Sequence, residues 1–163
     1  MGESRELKKI TNMYKVARQF KNAIPEPKSG VMVDFEFMKR VFPYVVNKSF
    51  ACEVYLKLIL ILDDKKIDKN HSIRSLYDKS GINCEFEAYI MANSEMKDRA
   101  TIDDCINSFS NAFVEWRYIY EKDATEKLMY VFLSIFCDYL DKICKRKLLD
   151  KYDYDVDKKI IFF

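Results

Sequence analysis

FACEVYLKLILIL, Phe50 to Leu62, sets the architecture of this chain. As a helix it is apolar on every side except at Glu53 and Lys57. A helix that is apolar all round is normally buried. Its thirteen residues span about 20 Å at the usual rise, too short to cross a bilayer. Glu53 and Lys57 are four apart, so they share a face and can pair, with the glutamate on the favourable N-terminal side. Val46, Phe50, Glu53, Lys57 and Leu60 form one row along the helix, and an acid and a base interrupt it. Buried charge is costly unless paired. The row therefore faces a polar seam, or the pair is a structural ion pair.

Composition supports one helical body. The chain has 163 residues, of which 49% are hydrophobic, too many for a disordered chain. Only 3 Gly and 3 Pro occur, which favours long helices over a turn-rich β fold. The 12 Phe and 11 Tyr are expected to fill the core. With 28 basic and 26 acidic side chains the net charge is +2, so any nucleic-acid site has to be local. The 5 cysteines include no CxxC pair, and residues 1–20 are charged throughout, unlike a secretory leader. Reduced core cysteines in a cytoplasmic protein are expected, with no metal, no cofactor and no membrane span.

Outward from the rod, residues 4–22 predict an amphipathic helix with Leu7, Ile10, Met13, Tyr14, Ala17 and Phe20 as its stripe. PEPKSG, 25–30, breaks the chain and is the candidate hinge. A second helix starts near Phe35, with Pro43 expected to end or kink a first segment. Beyond the rod come a charged loop at 63–71, a short helix from Ser72 to Lys79 capped by Gly81, and a weaker helix from Cys84 to about Met96. Thr101 is the expected N-cap of a helix running to about Lys122. The last long helix covers Thr125 to about Lys151, with Leu128, Val131, Phe132, Ile135, Phe136, Leu140 and Ile143 inward. The expectation is an all-α bundle of four or five main helices. It divides into an N-terminal helix and linker (1–30), the bundle (31–152) and an apolar tail (153–163) ending in IIFF.

His71 is the one histidine, which excludes multi-histidine metal centres. The three glycines are too far apart for a phosphate loop. His71 opens the Ser72 helix and is either a surface residue or a general acid or base. Ile106, Ser110, Phe113 and Arg117 step 4, 3, 4, which puts Arg117 at an edge of the buried stripe. There it snorkels, pairs with Glu53 or binds an anion. Glu53 and Lys57 from one helix, Arg117 and Glu121 from another, and His71 from the loop converge on one candidate site.

The same residues carry a resemblance. Ala51, Glu53 and Lys57 give A-x-E-x-x-x-K; His71 and Leu76 follow; then Phe113, Arg117, Tyr118, Tyr120 and Glu121 give F-x-x-x-R-Y-x-Y-E. In order and spacing this resembles a HEPN domain (higher eukaryotes and prokaryotes nucleotide-binding), in its abortive-infection and uncharacterised prokaryotic branches, over roughly 40–145. The resemblance implies an all-α homodimer with a polar cleft at the dimer interface. It also implies RNA or nucleotide as ligand, a defence, stress or toxin–antitoxin role, and a nucleotidyltransferase or antitoxin as partner. Active members are metal-independent endoribonucleases carrying Arg-x(4–6)-His. Here the positions ahead of His71 are Asp64, Lys65 and Lys66, and no histidine follows Arg117. The resemblance makes His71 and Arg117 the candidate catalytic pair, with Glu53, Lys57, Tyr118 and Glu121 binding ligand. The other class is a non-catalytic dimeric interaction or scaffold protein whose polar seam is structural.

Overall fold

The computed structural model describes residues 4–28, 35–67, 69–110 and 127–159. Every regular element among them is a helix: α1 (Arg5–Asn22), α2 (Phe35–Met38), α3 (Val41–Leu62), α4 (Ile73–Ser80), α5 (Asn83–Asn93), α6 (Arg99–Ser108), α7 (Lys127–Tyr152) and α8 (Val156–Lys159). The fold is an all-α bundle. Its centre is α3, packed against α7, α1 and α4. Residues around most of the circumference of α3 are buried, as expected of a rod with no polar face. No helix among the described residues is long and apolar enough to cross a membrane.

Local chemistry sets the boundaries. The Ser4 side chain caps α1 by accepting from the Leu7 N–H at 3.2 Å, which satisfies one of the free donors at the helix start. Chain reversal after α4 uses Gly81 at φ 78°, a left-handed conformation that costs glycine little. Pro43 neither ends nor kinks a helix. The break falls earlier, at Lys39 and Arg40, and Pro43 is the third residue of α3. A first-turn N–H has no acceptor within the helix, so proline there loses no bond. The rod thus starts at Val41 and runs 22 residues.

The helix expected from Thr101 differs at both ends. Asp98 is the N-cap, and its carboxylate accepts from the Thr101 N–H at 2.8 Å and from the Thr101 hydroxyl at 2.7 Å. Asp caps well because it is acceptor-only and short. The helix stops at Ser108, followed by a turn at Phe109 and Ser110, rather than running to Lys122. Val131 is 41% exposed, not core, whereas Phe132, Phe136, Leu140 and Ile143 are buried.

The aromatics fill the interior. Phe86 meets Phe136 with ring centroids 4.9 Å apart, Tyr77 meets Phe136 at 5.7 Å, and Phe109 meets Phe132 at 5.6 Å. These contacts tie α4, α5 and the turn after α6 to α7. Cys52, Cys105, Cys137 and Cys144 are buried free thiols, and Cys84 is exposed.

Two polar clusters, one buried and one half-exposed, fasten the N-terminal part. Asp141 of α7 accepts from the Tyr14 hydroxyl (2.6 Å), the Tyr55 hydroxyl (3.2 Å) and the Lys21 ammonium (2.8 Å). Burial pushes the Asp141 carboxyl up, but Lys21 and Tyr14 outweigh it and hold it below the usual aspartate range. Burial, then Asp141 itself, drives the Tyr14 and Tyr55 phenols far upward. In the second cluster Glu26, from the expected hinge, accepts from Tyr44, the buried Lys48 and Ser134. This docks residue 26 onto α3 and α7.

Candidate functional site

Three of the sequence-derived site residues meet. Glu53, on α3, has a side chain only 5% exposed. Its Oε1 accepts from Lys57 Nζ at 2.7 Å, one turn along the same helix. The same oxygen accepts from His71 Nδ1 at 2.8 Å. Lys57 is 18% exposed and His71 is 66% exposed. A carboxylate can only accept, so its contact assigns the ring proton to Nδ1 in the neutral imidazole. Nε2 then carries the lone pair, on a ring open to solvent.

The loop holds His71 through its neighbours. Asn70 Oδ1 accepts from the Ser72 N–H at 2.8 Å, an Asx turn around the histidine. Ser72 caps α4 by accepting from the Ser75 N–H at 3.3 Å. Ser110 locks that start from across the bundle. Its hydroxyl lies 2.9 Å from the Ser72 hydroxyl and accepts from the Arg74 N–H at 2.9 Å. Its carbonyl accepts from the Ile73 N–H at 3.0 Å. Arg74 Nη1 adds an ion pair to Asp103 at 2.7 Å. Asn70 has a legible local signal, an Asx residue two before the helix N-cap. Ser110 has none, because its contact joins positions far apart in sequence.

The cluster provides one carboxylate, one ammonium and one imidazole. The carboxylate orients the imidazole and offsets the ammonium, leaving an exposed nitrogen that can take or give a proton. Lys57 has further N–H donors for an anionic oxygen. One turn before Glu53, the Ser49 hydroxyl is buried with no hydrogen-bond partner among the described residues. Among the described residues no group of three or more His, Cys, Asp or Glu side chains could hold a metal ion.

Arg117, Tyr118 and Glu121, the rest of the expected site, lie outside the described residues, as do Trp116 and the IIFF tail. The step from Ile106 through Ser110 to Arg117 does not run along one helix, since α6 ends at Ser108.

No protein-family model, no curated protein and no solved structure matches this chain.

Proposed function

We propose that this chain is a HEPN-like bundle that binds RNA or nucleotide phosphate at the Glu53–Lys57–His71 cluster. One observation carries the reading: a nearly buried carboxylate oxygen is shared by Lys57 and an otherwise exposed His71. An imidazole held at Nδ1 and free at Nε2 suits proton transfer, and an adjacent ammonium suits a phosphate oxygen. In this reading Glu53 positions His71, and Lys57 contacts the phosphate. Arg117 stabilises charge on a pentacoordinate phosphorus, Tyr118 donates a hydrogen bond or stacks on a base, and Glu121 binds ligand beside them.

If the chain cleaves RNA, His71 takes the proton of a ribose 2′-hydroxyl as its oxygen bonds to phosphorus; the P–O5′ bond breaks to leave a 2′,3′-cyclic phosphate, and the 5′-oxygen departs as a hydroxyl with a proton from solvent water. No metal takes part. The protein acts as a homodimer in a prokaryotic defence or stress module, alongside a nucleotidyltransferase or antitoxin. The test is total cellular RNA incubated in excess EDTA with wild type, His71→Ala and Arg117→Ala. Cuts made by wild type and lost in both variants are expected. Cleavage that needs added metal contradicts the mechanism.

A second reading is favoured by the pairing itself. Lys57 and Glu53 already satisfy each other at 2.7 Å, as a purely structural ion pair would. The chain would then be a non-catalytic interaction or scaffold protein. Glu53→Leu with Lys57→Met separates the two. The phosphate-site reading expects a folded protein with ligand binding lost. The structural reading expects unchanged or higher stability and unchanged binding of whatever partner it has.

A further inference from the structure

α1 carries a second feature that the phosphate-site reading does not use. Its sequence has six basic residues and one acidic residue, Glu6. Arg18 pairs with Asp157, and Lys21 with Asp138 and Asp141. Arg5, Lys8 and Lys9 are exposed, and none pairs with an acid among the described residues. Glu6 accepts from the Tyr152 hydroxyl at 3.4 Å. The three unpaired cations rim a groove of about 560 Å³ that also takes in Asn12, Met13, Val16 and, from α3, Val54. No acidic residue lines it. Val16 is 39% exposed, and Phe20, one turn further along α1, is 38% exposed.

We propose that this α1–α3 groove docks an acidic amphipathic helix from a partner protein. An apolar floor under a one-sign rim is the complement of a helix with apolar residues on one face and carboxylates beside them. Arg5, Lys9, Asn12 and Val16 step 4, 3, 4 along α1. The site therefore spans about three turns, or roughly 16 Å. A partner helix of similar length fills it. Nucleic acid would use the cations and leave the apolar floor without a role. A lipid surface would bury large apolar side chains, and the floor offers only Met13, Val16 and Val54. The contact area is small, so the complex is weak and transient, in the micromolar range.

The test uses the full chain as bait for a random peptide library displayed on phage. The selection is countered on the Lys8→Glu, Val16→Asp double variant, whose substitutions sit on the exposed face of α1 and leave the unfolding midpoint unchanged. Peptides with apolar residues at helical spacing and flanking acids are expected to enrich. Their affinity is expected to fall tenfold or more on Lys8→Glu alone. It is expected to recover when one peptide acid is exchanged for lysine. Vesicles of phosphatidylcholine with phosphatidylserine, and a single-stranded oligonucleotide, run in parallel. Three results overturn the proposal: no enrichment, enrichment of sequences without acids, or retention of vesicles or oligonucleotide that depends on Lys8 and Val16 in place of a peptide. None of these bears on the Glu53 cluster.

Discussion

Asp141 is where single-residue energetics are most exposed to test. Its carboxylate takes three donors, from Tyr14, Tyr55 and Lys21. Asp141→Asn removes the charge and leaves Lys21 with only Asp138. Breaking a buried pair from one side costs about 3 kcal/mol, and a loss of that order is expected in denaturant titrations at neutral pH. The depressed carboxyl adds a pH signature. The folded protein releases this proton more readily than the unfolded chain, so unfolding takes a proton up and acid favours it. The stabilisation is complete above the ordinary aspartate value, about 3.9, and is lost as pH falls through the lower folded value. Wild type and Asp141→Asn are therefore expected to converge in acid; a gap that stays constant with pH contradicts this role. Little of the cluster was legible in the sequence. Tyr14 was readable as inward from its stripe, but its acceptor lies 127 positions away. The Glu53–Lys57 pair was legible because four-residue spacing alone brings the two side chains together.

At the scale of elements, the segment after α1 shows how a linker becomes part of the body. Proline, glycine and charge at 25–30 read as a break. Glu26 nevertheless supplies the counter-charge for Lys48, a residue only 2% exposed on α3. Glu26→Ala leaves that ammonium unpaired, and a destabilisation of about 2 kcal/mol is expected. This is below the usual cost of breaking a buried pair because Glu26 itself is half exposed. Glu26→Ala combined with Lys48→Met is expected to be milder than Glu26→Ala alone; equal or greater loss in the double variant contradicts the pairing. Sequence reading placed α1, α4 and the Gly81 reversal well, because caps and periodicity are local. It misplaced the start and end of α6. Thr101 and Asp98 are both competent caps, and only the backbone shows that Asp98 accepts while Thr101 donates. Nothing between Ser108 and Phe113 announces a stop, since glycine and proline are both absent there.

For the whole molecule, α3 is both the structural axis and the carrier of the candidate site. Its apolar circumference made the bundle readable from one stretch of sequence. Glu53 and Lys57 pair on its surface, and the loop to α4 returns His71 to that point. The near balance of charge, +2 overall, means that any nucleic-acid site has to be local. Arg117 lies outside the described residues, and the helix that its spacing predicts ends at Ser108. In the proposed reading Glu53, Lys57 and His71 form a phosphate-binding site. Its most direct test is fluorescence anisotropy of a short 5′-labelled single-stranded RNA titrated with wild type, Lys57→Met and His71→Ala, each first checked for native helicity and unfolding midpoint. Wild type is expected to bind, with affinity falling as salt rises, and each variant is expected to bind at least tenfold more weakly, a loss of about 1.4 kcal/mol. No binding by wild type, or equal binding by all three folded proteins, contradicts the account.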